Sequence, residues 1–199
     1  KTTFLILLSD YISDDERIIT IEDAAELKLN KVHTLRMETR KASTEGTGEI
    51  NQNKLLINAL RMRPDRIIIG ECRGPEAFEM LQAMNTGHDG SMTTLHANSP
   101  RDAISRIENM VMMGQASLPH LAIKRNIVDA VDIIVQIKRL NDGSRRVTSR
   151  SEVVSLEGDV VVMEEYFALD LTKDLSQIDP NTSYITSPIP TRSALKEKA

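Results

Sequence analysis

Hydrophobic positions along this chain follow two periods, and the change from one to the other divides it. Phe4-Leu5-Ile6-Leu7-Leu8 lies in a segment that predicts a helix over 2–12, stopped by Ser13-Asp14-Asp15. Arg17-Ile18-Ile19-Thr20-Ile21 is a short β-branched run of the kind buried on both faces, ending in Glu22-Asp23. Residues 32–38 have strand character, and 44–49, with two glycines, read as a mobile loop. Leu55, Leu56, Ala59 and Leu60 recur at helical spacing over 51–62 until Pro64 breaks the pattern. Arg66-Ile67-Ile68-Ile69 is a second buried strand, ending at Gly70-Glu71. Gly74-Pro75 places proline in a helix first turn, with Ala77, Met80, Leu81 and Met84 on one face and Gly87 as the stop. A third strand over 91–95 ends at His96. Ser99-Pro100-Arg101-Asp102 starts a helix to Gly114, and Leu118-Pro119 another to about residue 129. Residues 131–137 make a fourth apolar strand.

Beyond residue 140 the period falls to two. Asn141-Asp142-Gly143 is a hairpin signal, and 147–155 and 160–168 alternate around Glu157-Gly158, which predicts a small antiparallel meander. Helices alternating with short apolar strands predict an α/β fold: a parallel sheet with covering helices. The expected division is a core over 1–139, a meander over 140–170 and a polar, weakly ordered tail over 171–199.

Composition narrows the function classes. The 199 residues suffice for one domain with a sizeable core. No apolar run approaches the roughly 20 residues that span a bilayer. Cys72, the single cysteine, excludes an intramolecular disulfide and any multi-cysteine zinc site, and reads as buried packing. A net charge of -4 and an aromatic content of 3% leave neither a dense basic face for duplexes nor a stacking platform for single strands, so no nucleic-acid partner is expected.

Chemistry concentrates at the strand ends. Three apolar strands finish in Glu22-Asp23, Glu71 and His96. In a parallel sheet these groups converge on the carboxyl edge, where ligands bind. The chain also starts Lys1-Thr2-Thr3 ahead of a helix, the pattern that closes a P-loop, in which lysine reaches the β- and γ-phosphates and a hydroxyl holds Mg²⁺. Phosphates on a helix N-terminus, carboxylates opposite and a sensor beside them are the parts a nucleotide hydrolase needs.

Residues 17–27 read RIITIEDAAEL, 60–74 read LRMRPDRIIIGECRG, and 81–101 read LQAMNTGHDGSMTTLHANSPR. These segments resemble the Asp box, Walker B segment and His box of the secretion ATPase superfamily, which powers type II and type IV secretion and type IV pili. Over residues 1–168 the chain is most similar to the branch driving tight-adherence (Flp-type) pilus assembly, the CpaF family. The resemblance implies a RecA-like P-loop core, ATP and Mg²⁺ as cofactors, and a hexameric ring. It also implies a cytoplasmic motor peripheral to the inner membrane, with an inner-membrane platform protein as partner. Lys1, Thr2 and Thr3 stand for the end of the P-loop, with Thr2 on the Mg²⁺ side. Glu71 stands for the general base and Glu22 for the Asp-box acid assisting Mg²⁺ or water. Gly70 occupies the usual Walker B aspartate position.

His96 and His88 fall in the His box, which links the γ-phosphate to subunit movement; His88, in Gly87-His88-Asp89-Gly90, reads equally as a loop histidine. Arg36, Arg40, Arg61, Arg63 and Arg73 are candidate fingers across a subunit boundary, Arg36 and Arg40 foremost because a glycine-rich loop follows them. Met110, Met112 and Met113 read as helix packing. The P-loop glycines, the strand before them and the family's N-terminal domain fall outside the sequence. The expectation is a carboxyl-terminal portion of a longer protein, or an incomplete gene model, that alone binds no ATP usefully. Two other functions fit the same core: a non-hydrolysing ring scaffold, which loss of Lys1 or Glu71 would mark, and a RecA-like nucleic-acid motor.

Overall fold

The computed structural model describes residues 1–169 and a short strand at 184–186. The tail expected to be weakly ordered, 171–199, otherwise lies outside the described residues. A parallel sheet is built from β1 (Ile18–Glu22), β2 (Thr34–Glu38), β3 (Arg66–Ile69) and β4 (Met92–Thr93) in the order β2-β1-β3-β4. Alternation assigns its faces. Ile19, Ile21, Ile67 and Ile69 pack with Leu55, Leu56 and Ala59 of α2 (Gln52–Ala59) and with Ala77, Met80 and Leu81 of α3 (Glu76–Asn85). Ile18 and Ile68 point the other way, onto Leu5 of α1 (Thr2–Ser9), Ile12, Leu27 and Leu29. Both faces are therefore covered, and none of these six isoleucines exceeds 2% exposure. Each such burial contributes roughly 1.5–3 kcal/mol, enough for strands of four or five residues to hold a rigid edge.

Local chemistry sets where the elements stop. α1 ends at Ser9 rather than 12, and Asp10, Tyr11 and Ile12 wind on through tighter bonds to Leu7, Leu8 and Ser9. After α2 a 3₁₀ turn (Leu60–Met62) leads to Arg63, whose φ of 53 breaks the helix ahead of Pro64. Ser99 caps α4 (Pro100–Gly114) by accepting from the Asp102 N–H at 3.1 Å, as the sequence predicts. β4 is shorter than expected. Past Thr93 the chain turns to side-by-side contacts: Cys72 N–H donates to Thr94 O, and Thr94 Oγ1 donates to Gly70 O.

One expectation is corrected by topology. Residues 131–137, read as a fourth strand of the core, form β5 (Ile133–Arg139), which pairs antiparallel with β6 (Arg145–Glu157) and not with the parallel sheet. The connection explains it. Leu140 and Ser144 close a tight turn in which Gly143 takes a φ of 82, and a hairpin that short joins only antiparallel neighbours. The boundary expected at 139/140 thus falls inside the second sheet, which runs β5-β6-β7-β8 with β7 at Val160–Leu169 and β8 at Tyr184–Thr186. Val153 and Val161 join that sheet to the main core through Ile123 and Ile127 of α5 (His120–Ala130). Gln136 of β5 donates to Ala97 O, one residue beyond His96.

Candidate active site

Parallel pairing brings the strand ends level. Ile21 lies opposite Ile69, so Glu22-Asp23 and Gly70-Glu71 leave the sheet side by side. Lys1, at the N-terminus of α1, reaches the same edge and donates from Nζ to Leu95 O at 2.9 Å. Its partial burial lowers the ammonium pKa, the nearby Glu71 charge opposes this, and Arg73 and Arg106 add to the lowering. Lys1 O in turn accepts from the N–H groups of Phe4 and Leu5, which starts the helix. Thr2 and Thr3 form its first turn.

Glu71 is the centre of the cluster. Its Oε2 accepts from Arg73 Nη2 at 2.6 Å, and its Oε1 lies 3.1 Å from His96 Nε2. The Arg73 hydrogen bond is the main reason that its pKa falls below the ordinary glutamate value. Burial opposes that shift, and the charges of Arg73, His96 and Lys1 reinforce it. The carboxylate is thus ionised and only 20% exposed. A cleft of about 390 Å³ opens beside it, lined by Arg73, His96, Asn98, Asp102, Arg106 and Met113 among others.

The two carboxylate oxygens of Glu22 differ in their surroundings. Its Oε1 accepts from the N–H groups of Glu26 at 3.0 Å and Leu27 at 2.9 Å, pinning the loop that follows β1. Its Oε2 is buried and has no hydrogen-bond partner among the described residues. Alternation puts Glu22 on the sheet face that α1 covers, at the edge where α1 begins. An orphaned carboxylate oxygen there has the chemistry to face a cation or a cation's water.

The glycine at the usual aspartate position has a steric reason. A Cβ on Gly70 would lie 3.1 Å from Glu22 Cγ. Glu22 borders the space that a side chain at 70 would need, and it would have to shift by a few tenths of an ångström against its two backbone bonds. Gly70→Ala is therefore expected to destabilise the fold by about 1–3 kcal/mol, as overpacking does, measured by urea unfolding. An unchanged unfolding midpoint would show that Glu22 moves freely.

Other candidates lie elsewhere. His88 precedes β4, whereas Glu71 and His96 follow strand ends, so it sits at the opposite edge of the sheet. There its Nδ1 lies 3.0 Å from Ala83 O, and Ser91, bonded to His88 O, accepts from the Ile67 N–H at the start of β3. Arg40 is used within its own loop: Nε donates to Gly48 O at 2.8 Å, and its backbone pairs with Ile50. Arg36 is exposed on edge strand β2. Arg73, ranked below both, is the arginine that reaches Glu71. Glu71 and Arg73 are two residues apart and their side chains meet at 2.6 Å, a spacing that could have found it. Asp23 accepts from Thr39, Gln52 and Arg73. Burial, then Glu76, pushes the Cys72 thiol far up, in keeping with inert packing.

Known proteins share the sequence and fold of this chain. A family-wide sequence pattern described as "Type II/IV secretion system protein" matches residues 1–166. The putative conjugal transfer protein Rv3659c of Mycobacterium tuberculosis is 38% identical over 168 residues, which is 84% of this chain and 47% of the relative. The type IV secretion system protein PtlH of Bordetella pertussis is 40% identical over 154 residues, 73% of this chain and 44% of its own length. The chain thus spans about half the length of the curated relatives it matches. Among solved structures, the VirB11 ATPase of the Brucella suis type IV secretion system superposes with a TM-score of 0.68 at 31% identity, over 76% of this chain and 44% of that one. The Legionella pneumophila ATPase DotB, at 21% identity and a TM-score of 0.51, shares the fold. With a RecA-like parallel sheet, a carboxylate cluster at its carboxyl edge and a family match across residues 1–166, the chain belongs to the type II/IV secretion system protein family.

Proposed function

We propose that the protein bearing this chain hydrolyses ATP with Mg²⁺ and couples the energy to pilus assembly or protein secretion across the bacterial envelope. The working form is a ring, a hexamer on family grounds, on the cytoplasmic face of the inner membrane against a platform protein there. Within the family, the tight-adherence (Flp) branch fits the motifs best. One observation carries the reading: Lys1, Glu71 and His96 meet at the carboxyl edge of the parallel sheet, with His96 Nε2 3.1 Å from the Glu71 carboxylate. Lys1 binds phosphate oxygens, Glu71 accepts a proton from the attacking water, and His96 senses the phosphate while orienting Glu71. Bound Mg²⁺ would neutralise charge on the β- and γ-phosphates. Among the described residues no helix is long and apolar enough to cross a membrane, which suits a subunit that docks on one. Phosphate release by the intact protein, with its mass in solution, tests the proposal. A monomer that releases no phosphate from ATP·Mg²⁺ overturns it.

The two histidines separate on the same assay. His96→Ala is expected to lower turnover by about 10- to 100-fold while nucleotide affinity, measured by calorimetry, stays close to that of the unaltered protein. His88→Ala removes one local bond to Ala83 and should cost stability of about 1 kcal/mol with turnover preserved. The reverse pattern would move the sensor to His88.

A further inference from the structure

Arg73 is held from three sides. Its backbone N–H and that of Gly74 both donate to Oε1 of buried Glu76, at 2.7 and 2.8 Å, which fixes where the side chain departs from the start of α3. Its guanidinium then forks. Nη2 meets Glu71 Oε2 at 2.6 Å, and Nη1 lies 3.5 Å from Asp23 Oδ2. Asp23 is itself anchored, because its Oδ1 accepts from Gln52 Nε2 at 3.1 Å and Thr39 Oγ1 at 3.2 Å. Gln52 is buried at the start of α2.

We propose that Arg73 is a positioning residue for the hydrolytic reaction: anchored on Asp23 and Glu76, it fixes the orientation of the Glu71 carboxylate. The inference rests on the ATPase reading above. A planar guanidinium suits this task, since its donors diverge at fixed angles and can grip two carboxylates at once. A general base must point one oxygen at the water to within a fraction of an ångström. The backbone on either side of Glu71 is tied, Gly70 N–H to Ile21 O and Cys72 N–H to Thr94 O, so what remains to be set is the direction of its side chain, and that comes from partners. His96 grips one oxygen and Arg73 the other. The grip makes Glu71 a weaker base than a free carboxylate. What Arg73 supplies is geometry.

Steady-state hydrolysis and nucleotide binding by the intact protein test this, with Arg73→Gln, Arg73→Lys, Asp23→Asn and the double variant Arg73→Gln/Asp23→Asn. Arg73→Gln is expected to lower kcat by about 100-fold with nucleotide affinity unchanged. Arg73→Lys, which can reach one carboxylate but not fork, should recover part of the loss. The double variant should be no slower than Arg73→Gln alone, because the two residues act as one unit. The groups facing Glu71 are Arg73, His96 and Lys1, and Arg73 does most to hold its pKa down. Its removal should therefore shift the acid limb of kcat to higher pH, a change that a merely structural arginine would not produce. Wild-type kcat in Arg73→Gln overturns the proposal. So does a loss of affinity with kcat intact, which would make Arg73 a phosphate ligand, and so do strictly additive effects with Asp23→Asn. An unaltered protein without turnover overturns the ATPase reading as well, which distinguishes the two failures.

Discussion

Glu71→Gln is expected to lower ATP turnover by about 10²- to 10⁴-fold, the usual loss when a positioned general base is removed. The substitution is nearly isosteric. Its amide can keep one contact to Arg73 or His96, but it cannot accept the proton from water. Glu71 lies on a rigid segment, with Ile67, Ile68 and Ile69 buried just before it and Cys72 N–H bonded to Thr94 O just after it. The variant should therefore fold and bind ATP with affinity close to that of the unaltered protein. Phosphate release measures the first effect and calorimetry the second. Turnover within a factor of a few of the unaltered protein would remove Glu71 from the mechanism. Equal losses of affinity and rate would point to a collapsed site instead. The sign of the pH response follows from the same contacts. A carboxylate whose pKa is depressed stays ionised above that lowered value and loses its function only as pH falls through it. Turnover limited by Glu71 should accordingly persist into acid beyond the range of an unperturbed glutamate, about 4.3, for as long as the fold survives.

The main elements of this site were legible in the sequence for a physical reason. β1 and β3 are continuous apolar runs bounded by turn signals, and such runs are stable only with both faces covered, so their polar ends had to emerge at one edge. Glu22, Glu71 and His96 followed from that. What eluded the sequence was pairing. The parallel register that sets Ile21 against Ile69 brings Asp23 within reach of a guanidinium 50 residues away, and no local pattern reports such a contact. Arg73 was consequently ranked below Arg36 and Arg40, whose glycine-rich neighbourhood looked more suggestive. For Arg40 the glycines serve its own loop: Gly46 and Gly48 take φ of 75 and 79, and the loop folds back onto the arginine that precedes it. β5 was misplaced for a related reason. Its apolar run suits either sheet, and only the three-residue turn behind it decides that its neighbour is β6. His88 and His96 share one motif, yet β4 between them carries the chain from one edge of the sheet to the other.

Glu22 offers the second large effect, and a pair of substitutions separates loop anchoring from the proposed support of Mg²⁺. Glu22→Gln can still accept at one oxygen from the N–H groups of Glu26 and Leu27, so the loop after β1 should hold. What it replaces is Oε2, the buried oxygen without a protein partner, by an amide nitrogen that carries no charge and cannot ligate a cation. Turnover is then expected to fall by about 10- to 100-fold at fixed Mg²⁺ and to recover in part as Mg²⁺ is raised, as happens when a group supporting a bound metal is lost. Glu22→Ala removes both functions. It frees two backbone donors, one of them fully buried at Leu27, and opens a space between Gly70 and the loop. Each unsatisfied buried group costs about 1–3 kcal/mol, so the alanine variant should lose stability of that order or more in urea. It should also fail to recover activity at any Mg²⁺ concentration. Were Glu22→Gln to turn over normally at low Mg²⁺ while Glu22→Ala unfolded, Glu22 would be a loop anchor alone. The orphaned oxygen would then answer to no metal, and the place of the missing Walker B carboxylate would have to be filled by another group at the same edge, with Asp23 the nearest in sequence.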